Sequence, residues 1–259
     1  MTVQTISFRN GDIRVIRAGK GPVLGYLHGT IGNPSEHAFL EELAKKHEVV
    51  APCLPGFSGS TTDPSLRDLQ DWVFLLSEVI DLVGLTGKPV VASSLNAMLA
   101  LELAAIRPEA FSELVLLSPL GLWDNDAPLA DLYATRTTKQ AEILLQDPAK
   151  GAAYFETDPA LSKDEQFQAG VDRYLTSRAA ASIVWPFPAK GLEDRIHRVS
   201  CPVTIVWGDS DQLVPASYAA LYDKALSGRV KKTVHISEAG HLVEWDQAEK
   251  TAQAVEKAL

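Results

Sequence analysis

Four short stretches of this sequence carry side chains fit for nucleophilic catalysis. KPVVASSLNAMLALE places two serines, Ser93 and Ser94, between the β-branched pair Val90 and Val91 and a helical pattern. GDSDQL holds two carboxylates, Asp209 and Asp211, and SEAGHL ends in His241, one of six histidines. YLHGT brings His28, Gly29 and Thr30 together. A serine hydroxyl attacks poorly until an imidazole takes its proton, and that imidazole must be oriented by an acid. Hydroxyl, carboxylate and imidazole are all present, in that chain order.

The elements between them say how such groups can meet. TISFRNGDIRVIRAG reads as a hairpin about Asn10-Gly11-Asp12. GPVLGYLHG, EVVAP, PVVAS, SELVLLSP, CPVTIVWGD and VKKTVHISE are short apolar strands. Helical patterns separate them: SEHAFLEELAKKH, LRDLQDWVFLLSEVIDLVGL, a helix from about Asn96 to Arg107, and a last one from about Asp246 to Leu259. Alternation of this kind predicts an α/β fold with a mostly parallel central sheet covered by helices on both faces. In such sheets chemistry gathers outside the carboxyl ends of the strands, and the four stretches fall there. The alternation stops between Gly121 and Lys190, where the pattern is mostly helical. Residues 1–120 and 191–259 are thus predicted as one core, and 121–190 as an inserted helical lid, too long for a bare loop.

Of the two serines, Ser94 has the small Ala92 two residues before it and Asn96 two after, whereas Ser93 is flanked by Val91 and Leu95. A sharp strand-to-helix turn needs small neighbours at those positions, which favours Ser94. Neither neighbour is glycine, so a strained or displaced turn is expected.

Taken in order, these motifs resemble the α/β-hydrolase fold superfamily over nearly the whole chain. LHGT is similar to its oxyanion loop, APCLPGFSGST to the loop that follows, and VVASSLNAMLALELAAIRPEAFSELVLLSP to its nucleophile elbow, helix and next strand. PVTIVWGDSDQLVP resembles its acid loop and AGHLVEWDQAEKTAQAV its histidine loop. The resemblance implies Ser94 as nucleophile, His241 as base and Asp211 as its acid, with Asp209 two residues away and Asp124 or Asp126 as other acid positions. It implies an oxyanion hole from the backbone N–H groups of Thr30 and Leu95. His28, Gly29, Ser93, Trp123 and Leu242 are expected around the substrate pocket, with Trp123 the first of several lid aromatics, which include Tyr133, Tyr154, Tyr174, Trp185 and Phe187. Arg173 and Arg178 read as solvated lid residues or, as the alternative, as partners of a substrate carboxylate.

The implied activity is hydrolysis of an ester of a small or medium acyl substrate. The alternatives are a carbon–carbon hydrolase of ring-cleavage products or a ligand-binding member without catalysis. The carbon–carbon hydrolases carry a more glycine-rich loop than HGTIGNP and a Trp where Leu242 stands. A net charge of -9 with no basic patch argues against nucleic acid. No apolar run is long enough to span a bilayer, and the N-terminus lacks a signal-peptide layout. Cys53 and Cys201 lie far apart without metal spacing, as expected of buried thiols in the reducing cytosol. With no dinucleotide or P-loop motif, no cofactor is expected and the partner is a small apolar or acyl molecule.

Overall fold

The computed structural model describes residues 1–33, 37–186 and 190–259. Its centre is one eight-stranded sheet. The strands are β1 (Thr2–Phe8), β2 (Gly11–Ala18), β3 (Val23–Leu27), β4 (Glu48–Pro52), β5 (Lys88–Ser93), β6 (Phe111–Leu117), β7 (Val203–Gly208) and β8 (Val230–Ile236). Their spatial order is β1-β2-β4-β3-β5-β6-β7-β8. The first two pairings, β1 with β2 and β2 with β4, are antiparallel, and all later ones are parallel. The expected hairpin forms, but its turn is Arg9-Asn10, one residue earlier than the Asn-Gly-Asp signal suggested, because Phe8 pairs with Gly11. Arg9 takes the left-handed conformation there, at φ 50°.

After β3 the chain steps to one side to make β4, then crosses to the other side to make β5. This reversal leaves a crevice at the carboxyl ends of β3 and β5, the place where open sheets bind ligands.

The helices follow from their apolar faces. In α1 (Ala38–Leu43), Phe39, Leu40 and Leu43 are buried; the helix is shorter than SEHAFLEELAKKH suggested, and residues 34–36 of that stretch lie outside the described residues. In α2 (Leu69–Val83), Trp72, Val73, Leu75, Leu76, Val79, Ile80 and Val83 form a stripe of helical period against the sheet. Asp68 caps its N-terminus by accepting from Asp71 N, and Gly84 closes it in the left-handed conformation at φ 79°. The helix α3 (Ser94–Ile106) is buried from Ser94 to Ala105. It begins two residues before the expected Asn96 start, so Ser94 is its first residue.

Between β6 and β7 lie α4 (Thr137–Leu144), α5 (Ala152–Phe155) and α6 (Lys163–Val184) with irregular chain between them. The segment is less helical than expected. Its longest helix, α6, starts at a capping box of Ser162 and Glu165 and buries only Thr176, Ala180, Ile183 and Val184. The core closes with α7 (Tyr218–Ala225), α8 (Val243–Asp246) and α9 (Ala248–Glu256). Both cysteines are buried and free. No helix among the described residues is long and apolar enough to cross a membrane.

Candidate active site

The structure brings Ser94, His241 and Asp211 together from three loops. Ser94 follows β5 directly and opens α3, Asp211 follows β7, and His241 follows β8. Ser94 Oγ lies 2.7 Å from His241 Nε2, and His241 Nδ1 lies 2.9 Å from Asp211 Oδ2. The second oxygen of Asp211 accepts from Leu213 N and Val214 N, each at 2.9 Å. This fixes the carboxylate so that Oδ2 faces the ring. The ring therefore carries its proton on Nδ1, donated to Asp211, and Nε2 accepts from the Ser94 hydroxyl. Asp209 instead sits near His235, at 3.2 Å on the surface. Asp124 accepts from Asp126 N in its own turn.

The missing glycines do not prevent the turn. Ser94 holds φ 53°, the left-handed region that side chains occupy at a cost of roughly 1–3 kcal/mol. Ala92 is small enough to be fully buried behind it. Asn96 is fully buried too, and its amide nitrogen donates to the His28 carbonyl at 2.6 Å. Asn96 thus ties α3 to the loop after β3. Leu120 N also donates to the Ser94 carbonyl, at 3.2 Å.

Thr30 stands on that loop. Its hydroxyl lies 2.9 Å from Ser94 Oγ. With the serine proton directed at His241, Thr30 is the donor and Ser94 Oγ the acceptor. Leu95 N belongs to the first turn of α3, where amides have no carbonyl within the helix and the helix dipole favours negative charge.

His28 braces the loop rather than facing Ser94. Leu54 N donates to its Nε2 at 3.2 Å, so Nδ1 holds the proton and donates to the Gly29 carbonyl at 2.9 Å. Burial pushes its pKa down to about 4, which keeps the ring neutral. Asn33 N donates to Ser58 Oγ at 2.7 Å, so the loop after β4 supports the loop after β3 a second time. Gly29 is needed for close approach: a Cβ there would come within 2.9 Å of Ser93 Oγ and 3.0 Å of Leu242 Cδ2. Ser93, Gly29 and Leu242 therefore form a packed layer. Behind it Glu244 is buried, accepts from the Tyr26 hydroxyl at 3.1 Å, and has its pKa raised by burial.

Asp246 is a buried bracing residue beside the site that sequence reasoning passed over. Its carboxylate accepts from Gly240 N at 2.7 Å, next to His241, and from Gln146 N at 2.8 Å and Asp147 N at 3.1 Å. Leu242 N donates to the Leu144 carbonyl at 2.9 Å. The chain after α4 is thereby fastened to the histidine loop. The only sequence signal was an acidic residue ahead of the last helix.

The aromatics of the 121–190 segment divide. Trp123 is half-buried and its indole donates to Asn125 Oδ1 at 2.9 Å. Tyr154 and Phe155 pack edge to face at 4.9 Å. Tyr174 is 65% exposed and Trp185 49%, so neither lines an enclosed pocket. Arg173 reaches Glu156 O and Thr157 Oγ1 within its own segment, both at 3.4 Å, and Arg178 is exposed. Phe187 lies outside the described residues.

The comparisons agree with this architecture. The chain is 24% identical over 255 residues to the dihydrolipoyllysine-residue acetyltransferase component of the acetoin cleaving system of Cupriavidus necator, covering 95% of this chain and 66% of that protein. It thus spans just under two thirds of that relative's length. It is 23% identical over 275 residues to the 2-hydroxy-6-oxo-6-phenylhexa-2,4-dienoate hydrolase of Burkholderia cepacia, covering 96% of this chain and 91% of that one. The solved structure of a meta-cleavage product hydrolase from Pseudomonas fluorescens aligns with a TM-score of 0.75 at 16% identity, over 98% of this chain and 96% of the other. That likeness speaks for the fold. Residues 26–254, which run from β3 into α9, match the model of the alpha/beta hydrolase family, and the chain belongs to that family.

Proposed function

We propose that the protein is a serine hydrolase that cleaves an ester of a small or medium acyl substrate through an acyl-serine. The observation that carries this reading is the continuous chain Ser94 Oγ–His241 Nε2, His241 Nδ1–Asp211, with the serine held at positive φ at the carboxyl end of β5. Ser94 attacks the carbonyl carbon as its proton passes to His241 Nε2. Asp211, fixed by two backbone amides, keeps the imidazole in place and stabilises the imidazolium. Negative charge developing on the carbonyl oxygen is met by the N–H groups of Leu95 and Thr30. The Thr30 hydroxyl is a further donor beside the nucleophile. His241 then gives its proton to the leaving alcohol. In the second half it takes one from water, which releases the acid and restores Ser94. The 121–190 segment acts as a lid over the site, anchored near its middle by Asp246.

Hydrolysis of a 2-hydroxy-6-oxo-dienoate is the second reading. It is favoured by the name of the Burkholderia cepacia relative, which the chain covers almost entirely.

Fluorophosphonate labelling with peptide mapping tests the proposal. The expected result is one adduct, on Ser94, lost in Ser94→Ala and His241→Ala. A folded wild-type protein without that adduct overturns it. A panel of acyl esters beside a dienoate then separates the two readings.

A further inference from the structure

A cavity that none of Ser94, Asp211 and His241 lines lies between the edge strand β8 and α9. It holds about 420 Å³, within the range of small-molecule sites. Its two ends differ. The last residues of α9 lie beside the first of β8, since Lys231 Nζ donates to the Ala258 carbonyl at 2.8 Å. At the other end Lys250 of α9 pairs with Glu238, just past β8. The helix therefore runs antiparallel to the strand. Lys232 and Lys257 line the first end, and Val234, Ile236 and Ala254 line the stretch leading away from it.

The charges are not equally engaged. Lys231 is paired with Glu113 at 2.7 Å and Lys250 with Glu238 at 3.4 Å. Among the described residues, no carboxylate lies within ion-pair distance of Lys232 or Lys257. Thr204 supplies an independent observation. It lines the cavity, is 1% exposed, and its hydroxyl has no hydrogen-bond partner among the described residues. A buried hydroxyl left so costs free energy that a ligand would recover. In the parallel register Thr204 is the direct neighbour of Lys232, so both point to the same face of the sheet. Lys232 and Lys257, without a carboxylate partner, and the buried Thr204 thus line one end of a cavity that is apolar farther along.

We propose that this cavity binds an amphiphilic carboxylate of medium chain length, with its head on Lys232, Lys257 and Thr204 and its hydrocarbon along Val234, Ile236 and Ala254. Two cations and a hydroxyl donor match the two oxygens of one carboxylate. The apolar walls select against a bare inorganic anion. The site is independent of the hydrolase reading, since none of these residues belongs to the catalytic loops.

The test is a titration of the full chain with sodium octanoate, followed by backbone amide NMR shifts and calorimetry, with Ser94→Ala run beside the wild type. The expected shifts centre on Thr204, Lys232 and Ala254 and saturate in both proteins. Octanol and inorganic phosphate, which lack the charge and the tail respectively, are expected to bind about tenfold more weakly or worse. Lys232→Ala and Lys257→Ala change exposed side chains and should each weaken octanoate about tenfold. Thr204→Val keeps the shape and should weaken it by a smaller factor. The proposal is overturned by shifts confined to the Ser94 crevice, by binding that the lysine variants leave unchanged, or by the absence of saturable binding to a folded protein.

Discussion

Asn96→Ala is the substitution that most directly tests how the elbow is held. Asn96 and His28 are both fully buried, and the 2.6 Å bond from the Asn96 amide to the His28 carbonyl joins α3 to the loop after β3. Removing the amide leaves that carbonyl without this donor, which costs about 1–3 kcal/mol. Alanine regains a few tenths of a kcal/mol in helix propensity, and the small cavity takes it back. Alanine also removes the Asn96 Oδ1, which is buried without a partner, so the expected net loss falls to about 1 kcal/mol. Asn96→Gly should lose roughly 1 kcal/mol more, because glycine gives up more backbone freedom on folding. Urea unfolding at unchanged m-value measures this directly. The consequence for chemistry is separate. If the bond sets where Thr30 lies, a shift of about 1 Å costs on the order of 100-fold in rate. The second-order rate of fluorophosphonate labelling of Ser94 reads that loss. Wild-type stability in both variants would refute the argument. So would faster labelling in Asn96→Gly, which would make Asn96 an impediment rather than a tie.

Three further outcomes are expected. Thr30→Val keeps the size of the side chain but removes the donor beside Ser94 Oγ; labelling should slow about fivefold to tenfold, corresponding to roughly 1 kcal/mol, with little change in the urea midpoint. His28 and His37 are both buried, and burial lowers each to about 4. The unfolded chain takes up these protons near the ordinary histidine value of about 6.5, so this stability is present above that pH and is lost as pH falls toward 4. Each ring accounts for up to roughly 3 kcal/mol, and melting temperatures from pH 7 to 4 should be less steep in a His37→Gln variant. Glu244 has the opposite sign. Its carboxyl is raised by burial, so the folded state holds a proton that the unfolded state releases, and stability falls as pH rises above the ordinary carboxyl range. Glu244→Gln should therefore gain melting temperature relative to wild type between pH 5 and 8.5, and a constant difference across that range would refute the assignment.

The layered α/β architecture was legible from residue order alone, because short strands buried on both faces and helices with one apolar stripe leave few other arrangements. So was the chemistry on offer. Ser94, Asp211 and His241 lie at strand ends, and strand ends in a parallel sheet share one side of the molecule. Ala92 and Asn96 were readable as departures from glycine, but only as a doubt about the turn. Tertiary structure decided what Asn96 does, since its partner, the His28 carbonyl, lies far away along the chain and is brought near by the β3/β5 pairing. It also brought Asp211 rather than Asp209 to His241. Two residues apart, they differ because Leu213 N and Val214 N turn one carboxylate toward His241 while the other points to solvent beside His235. The helices of the 121–190 segment were blurred in the sequence because α6 is largely exposed and its apolar period is weak. Its attachment through Asp246 was invisible, since a carboxylate accepting backbone amides from a distant loop leaves no local pattern. Residue type and spacing announce which groups can react; long-range backbone hydrogen bonds decide which of them meet.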